Sequence, residues 1–431
     1  MLLKKQFFLI LSLLTINLYG QEAFKDSLRI TLHQADSIFI SQNLSLLAEK
    51  CNIGAANAQI IQARFFNNIT ITASQNVYNP DPKSTGSTQK WFDFSDKGEA
   101  NIQLQKLFLL AGKRNKQIKL AELTANKEEQ NYFDLLRTLK FSLRSGFYNI
   151  YYLKQILNVY DKEITSTNKL IGVFQGQFEK GYISKKELLR LKSNLFTLEN
   201  EKIGYSSQLI SSQADFNILM HSSNIFYNPQ PDTSAFDKAS PEGLKLQTLI
   251  DTAYNNRYDL KMAQTDLSLS QVNLAYQKAM AVPDITLSGG WDKNGTYVHN
   301  FNSLGLQFDI PIFNRNQGNI KSAKFNVESS KYKLQGAEDQ LKSDVVSAYA
   351  NAIEINRLYN KFDKKFVADL DTLNEEMLKN FEKKNISLIE FLDYYDAYKE
   401  NAVQLNNLLY NRINAFENLN FSIGKDIIII R

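Results

Sequence analysis

The chain is 431 residues long and carries 50 Lys and Arg against 45 Asp and Glu, a formal net charge of +5. So small a charge on this length, with both signs interleaved, argues against a nucleic-acid partner. One cysteine, Cys51, excludes an internal disulfide, and His33, His221 and His299 lie too far apart to read as a metal motif.

Residues 1–20 begin with Lys4 and Lys5, continue through an apolar run from Phe7 to Leu18, and end at Gly20 before Gln21. This is the pattern of a secretory signal peptide, too short to cross a bilayer. No cysteine sits at the cleavage region, so no lipid-modified N-terminal cysteine is expected. A helix is expected over Leu44–Arg64. It is followed by "NITITASQNVYN", where Ile69, Ile71, Ala73 and Val77 alternate with Thr70, Thr72, Ser74 and Asn76. Period-two alternation marks a strand, near 67–78, with one apolar and one polar face. A Pro-, Ser- and Gly-containing loop over Asn79–Gly98 leads to "ANIQLQKLF", a second strand near 99–108.

No proline lies between Pro82 and Pro229, or after Pro311. Proline removes a donor and clashes with the preceding turn, so stretches without it can hold long helices. Leu136, Leu139, Leu143, Phe147, Ile150, Leu153, Leu157, Tyr160 and Ile164 recur at steps of three and four, and Ile171, Phe174 and Phe178 extend the stripe. One helix is expected from about Ala111 to Glu179, on the order of 100 Å long at 1.5 Å per residue. Gly146, Gly172 and Gly176 are expected to bend it without ending it. Gly181 then suits a left-handed turn, and Ser184 with Glu187 forms a Ser-x-x-Glu capping box that opens a helix over Ser184–Met220.

After a linker over 221–246, the same order of elements returns. A helix over Leu260–Ala279 precedes strands near 284–292 and 302–310, where Ile285, Leu287, Trp291, Leu304, Leu306, Phe308 and Ile310 alternate with polar or small residues. A long helix from about Asn316 to Lys383 ends at Asn385, the expected left-handed residue of the second turn. Ser387 and Glu390 then cap a helix over Ser387–Asn420. "FEKGYISKKELL" from Phe178 and "FEKKNISLIEFL" from Phe381 are near copies, 203 positions apart. We therefore expect a twofold repeat, 21–220 and 247–424, each half ending in a helical hairpin, with tips near 180–184 and 383–387. The tail over 425–431 contains the run Ile427–Ile430, too short to anchor in a membrane.

The four alternating segments suit a membrane barrel, apolar residues toward lipid and Thr, Ser, Asn and Gln toward water. Trp91, Phe92, Phe94, Trp291 and Tyr297 fall near strand ends, where interfacial aromatics belong. Four strands cannot close, and an open edge in lipid leaves backbone groups unsatisfied, so other copies of the chain are required. Residue types alone do not give the copy number. A competing expectation is a secreted coiled-coil scaffold or adhesin with a small β-domain. It accounts for the helices and leaves the alternating segments unexplained.

Signal peptide, repeat, paired strands and hairpin tips together resemble the TolC family of outer-membrane efflux ducts. The tip phrases carry the resemblance, with "LLAGKRNKQIKLAE" after the second strand and "PIFNRNQGNIKSA" after the fourth. The wording "FNRNQG" is similar to the branch serving heavy-metal (cobalt–zinc–cadmium type) efflux. The resemblance implies a mixed, mainly α fold. A trimeric, twelve-stranded outer-membrane β-barrel, four strands per protomer, would continue into a long periplasmic α-helical barrel. It further implies a passive duct in a tripartite system with a membrane-fusion adaptor and an inner-membrane pump, of RND type for metal cations. The other cargoes are drugs or a type I secreted protein.

Carried residue by residue, the resemblance makes Gly181, Tyr182, Ile183, Ser184, Lys384, Asn385, Ile386 and Ser387 adaptor-contact positions. Apolar Ile183 and Ile386 are expected to stand exposed at the tips, which favours a docked partner over a mere turn. Glu390 and Asp393, three apart on one helical face, match the family's periplasmic gate, and Asp396 would extend the set. Repeated around an axis they would form a carboxylate ring, a cation-selecting device. Glu390 also serves the capping box, where an acidic residue suits a helix N-terminus. With no glycine-rich phosphate loop and no nucleophile elbow, neither enzymatic activity nor a cofactor is expected.

Overall fold

The computed structural model describes residues 26–75, 99–223, 225–233, 236, 238–294, 298–361, 369, 372, 373, 376–381, 383 and 385–429. The signal-peptide segment, the whole Asn79–Gly98 loop with Trp91, Phe92 and Phe94, and also Val77, Tyr297 and Lys384 lie outside them. In chain order the elements are β1 (Asp26–Ile30), α1 (Leu32–Gln42), α2 (Leu44–Arg64), β2 (Ile69–Gln75), β3 (Ala100–Phe108), α3 (Lys113–Glu179) and α4 (Lys185–Leu219). They continue with β4 (Ile225–Pro229), α5 (Leu246–Asn256), α6 (Tyr258–Met280), β5 (Ile285–Asn294), β6 (His299–Phe308), α7 (Gln317–Lys361) and α8 (Leu388–Ile423). Helix dominates. The 67 residues of α3 run unbroken through Gly146, Gly172 and Gly176. The expected helix over 316–383 is helical over Gln317–Lys361 and again over 376–381.

The chain divides into two compact units. One comprises Met1–Leu47, Leu136–Asn256 and Asp344–Arg431, the other Ala48–Leu135 and Arg257–Ser343. The second unit holds a four-stranded antiparallel sheet in the order β2-β3-β5-β6. Its register sorts side chains by face, because directly paired residues point the same way. One face carries the rows Ile69–Lys106–Leu287–Leu306, Ile71–Leu104–Gly289–Leu304 and Ala73–Ile102–Trp291–Asn302. The other carries Thr70–Gln105–Ser288–Gly305 and Thr72–Gln103–Gly290–Ser303. On the polar face two glycines lie close against serine hydroxyls of the neighbouring strand. A Cβ at Gly305 would come 2.6 Å from the Ser288 hydroxyl, and one at Gly290 would come 2.9 Å from that of Ser303.

All four junctions between strand and helix lie at one end of this sheet, where buried Lys113 joins two of them. Its Nζ is 2.7 Å from Asp284 Oδ1 and donates to the Val282 carbonyl, while Asp284 accepts from the Leu110 amide. The two strand-to-helix phrases turn the chain through left-handed residues, Ala111 and Gly112 in one and Asn316 in the other. The Asn316 side chain donates back to the Gln277 carbonyl. Asparagine and glycine tolerate that geometry, which gives the phrases a backbone reason to exist.

In the first unit the core face of α3 includes Leu143, Phe147, Ile150, Leu153, Ile156, Tyr160 and Leu170. The stripe read from sequence slips here: Leu157 and Ile164 are half-buried, and Ile156 and Glu163 take the buried positions. That spacing, near 3.5 residues, is the one a helix keeps along a coiled-coil seam. Two elements of this unit had no sequence signal. β1 pairs in parallel with β4, which falls within 221–246, and the Gln213 side chain bonds both backbone groups of Tyr227 beside it. Arg144 is the charged centre of the unit, buried with 3% of its side chain exposed. It reaches Glu417 at 3.0 Å, Asp36 at 3.2 Å and Asp426 at 3.3 Å. Burial works against its charge, and these three carboxylates more than restore it, holding the guanidinium protonated. Two isoleucines of the tail have a place as well. Asn420 Oδ1 accepts from the amides of Ile427 and Ile428, and its Nδ2 donates to the Ile428 carbonyl.

Candidate functional site

The first hairpin tip is built as its residues dictate. Gly181 adopts φ +74°, and its amide donates to the Phe178 carbonyl while the Tyr182 amide donates to that of Gln177. These are the two bonds of a Schellman ending. Ser184 then caps α4, accepting from the Glu187 amide while Glu187 accepts from the Ser184 amide at 2.9 Å. The second tip repeats this in register. The Asn385 amide donates to the Asn380 carbonyl, and Ser387 and Glu390 form the same reciprocal cap at 2.9 Å. The hydrogen bonds correct one assignment. Asn385 takes the place of Tyr182, so the counterpart of Gly181 is Lys384, which lies outside the described residues.

Exposure at the tips also differs from expectation. Ile183 and Ile386 are half-buried, and Ile386 packs on a cluster of Leu170, Leu191, Phe381, Leu388, Phe391, Leu392 and Tyr395. The phenyl ring of Phe391 stacks on Phe381 at 4.5 Å. Covering that cluster is worth more to an isoleucine than standing in water, and the outward apolar group is Tyr182, 73% exposed. Gly181, Ser184, Asn385 and Ser387 are exposed around it.

Glu390 and Asp393 both lie on the exposed side of α8, opposite buried Phe391, Leu392 and Tyr395. The hydrogen bonds from Ser387, backbone first and then hydroxyl, hold the Glu390 carboxyl below its ordinary range, so it stays ionised to lower pH. Asp396 is set apart. It is half-buried and 3.7 Å from the ammonium of Lys399, a buried residue that also reaches Glu201 at 2.9 Å. Counting back by the tip spacing from Asp393 gives Arg190, exposed on α4. The two hairpins thus carry opposite charges at equivalent positions, a feature legible in the sequence once the copies are aligned.

Among the described residues, no group of three or more His, Cys, Asp or Glu is arranged to hold a metal ion. His221, at φ +48°, lies just past the end of α4, and His299 Nδ1 lies 2.7 Å from Asn294 Oδ1. No described helix is long and apolar enough to cross a membrane.

Residues 249–425 match the Outer membrane efflux protein family. Over that stretch the chain is similar to outer membrane efflux proteins. The cobalt-zinc-cadmium resistance protein CzcC of Cupriavidus metallidurans is similar to it at 20% identity over 296 residues, covering 68% of this chain and 66% of that relative, just under two thirds of its length. The likeness to solved structures extends well beyond the matched stretch. CusC, studied for transmembrane channel formation, superposes with a TM-score of 0.74 at 16% identity, covering 95% of this chain and 96% of its own. The Campylobacter jejuni CmeC outer membrane channel gives 0.75 at 14% identity, covering 92% and 86%. Within the matched stretch lie the second tip, Glu390 and Asp393, and the β5–β6 half of the sheet.

Proposed function

We propose that this protein is an outer-membrane efflux channel that conducts its cargo passively, heavy-metal cations being the cargo favoured by the likeness to CzcC. The observation that carries the reading is the sheet register. It gives one apolar and one polar face, and its outer strands β2 and β6 each have a neighbour on one side only. Such a ribbon is stable in lipid when further copies supply the missing strands, and three copies of four strands give a twelve-stranded barrel. The polar face then lines the passage, with Thr, Gln and Ser that let hydrated ions through without holding them. The hairpin tips, Tyr182 foremost, dock a periplasmic adaptor, and an inner-membrane pump of RND type supplies the energy. A scaffold or adhesin has no use for an exposed apolar sheet face.

The decisive experiment is fractionation followed by recording in planar lipid films. The protein should sediment with the outer membrane as a heat-modifiable oligomer and give stepwise conductance. A monodisperse monomer in detergent that passes no current overturns the reading. Within it, Glu390 and Asp393 ring the periplasmic mouth. Glu390→Gln combined with Asp393→Asn should raise single-channel conductance and weaken block by multivalent cations, because the mouth loses its carboxylates. Conductance identical to that of the parent protein would remove these residues from the gate.

A further inference from the structure

The apolar face of the sheet carries lysines only toward its two ends, Lys293 near the β5–β6 turn and Lys106 on β3 near the strand-to-helix junctions. Lys106 sits in the row Ile69–Lys106–Leu287–Leu306, among exposed aliphatic side chains. Its side chain does not stand straight out. It turns back toward the junctions, donates to the Asn67 carbonyl, and places Nζ 5.9 Å from the Phe66 ring. That is how a lysine behaves when its stem lies on an apolar surface and its head seeks the polar edge. A second cation meets the same ring. Arg114, in the first turn of α3, donates to the Arg64 carbonyl and stacks its guanidinium 3.9 Å from the centre of Phe66. Phe65 and Phe66 are 63% and 71% exposed, far more than an aromatic pair keeps without something to cover it. The nearby carboxylate Glu122 is engaged with Arg64 and Lys119, and among the described residues neither Lys106 nor Arg114 has an acidic partner.

We propose that Lys106 and Arg114 together bind the phosphate of a phospholipid in the leaflet that meets the helix end of the sheet, with Phe65 and Phe66 seated at the boundary between acyl chains and headgroups. Two cations around one exposed ring complement an anion, and the apolar face running on from Lys106 provides the surface along which the acyl chains lie. The inference rests on the membrane-barrel reading above.

The test places the full-length oligomer in nanodiscs of phosphatidylcholine alone or of phosphatidylcholine mixed with phosphatidylglycerol. Retained phosphatidylglycerol is read by native mass spectrometry and insertion by conductance. The parent protein should retain phosphatidylglycerol, and retention should fall roughly fivefold for each cation removed in Lys106→Gln and Arg114→Gln. Lys106→Arg should keep it, as should Lys331→Gln, an exposed control on α7. Should Arg114→Gln fail to assemble, Lys106→Gln alone carries the comparison. Equal retention in parent and variants, with normal conductance, overturns the lipid site and leaves the barrel standing. A parent protein that enters neither bilayer overturns both.

Discussion

Arg144→Met is expected to lower stability by about 3–5 kcal/mol, because it leaves Glu417, Asp36 and Asp426 close together with their shared cation gone. Glu417 and Arg144 are almost fully enclosed, so neither solvent nor salt replaces the lost charge. The cluster also joins distant parts of the chain: α1 supplies Asp36, α3 Arg144, α8 Glu417 and the tail Asp426. Urea unfolding of the purified full chain measures the effect, and a loss below about 1 kcal/mol, ordinary for a point substitution, would contradict it. Adding Glu417→Gln should recover part of the loss, since removing both partners spares the protein an uncompensated buried charge. The pH dependence has a definite sign. Burial pushes the Glu417 carboxyl up, and Arg144 pulls it only part of the way back. A carboxyl whose folded pKa is raised favours the folded state below its ordinary range, and that contribution is lost as pH rises through the folded value. Without Arg144 the carboxyl rises further. The deficit of the variant should therefore be greatest at neutral pH and shrink below about pH 4, where carboxylates are protonated in any case.

Phe391→Ala should cost about 3–5 kcal/mol as the transfer and cavity terms add. Phe391 is 1% exposed, stacked on Phe381 at 4.5 Å and against Tyr395 at 4.9 Å, in the cluster that also carries Ile386. The damage should be local first. Hydrogen exchange and limited proteolysis should show the second tip opening ahead of the rest, and adaptor capture should fail with it. Tyr182→Ser is the complementary change. On the surface it should alter stability by no more than about 0.5 kcal/mol while weakening adaptor capture. Equal protection of the tip in Phe391→Ala and the parent would show that the aromatic stack does not hold the hairpin.

How legible the molecule is depends on how local each signal is. The strands at Ile69–Gln75, Ala100–Phe108, Ile285–Asn294 and His299–Phe308 can be read because alternation persists over seven to ten residues. Helices α2, α3, α4, α6 and α8 can be read from the absence of proline, from apolar spacing and from caps, each within a few residues of its bounds. β1 and β4 cannot: "DSLRI" and "IFYNP" are five residues each, without clean alternation, and their pairing joins segments about two hundred positions apart. The Arg144 cluster is silent for the same reason, since nothing near residue 144 marks Asp426, 282 positions on, as a partner. At the tips, the turn and cap follow from four or five neighbouring residues. The inward set of Ile386 depends on Leu170 and Phe391, so only the folded hairpin displays it.

The unpaired margins of the four-stranded ribbon have a consequence for a copy that has not yet met its fellows. In water such a ribbon offers rows of free amides and carbonyls beside a greasy plane, the arrangement that recruits any passing strand. On the barrel reading proposed above, a newly made copy is therefore expected to be short-lived as a folded monomer. On the same reading it should persist only once further copies complete its sheet in lipid.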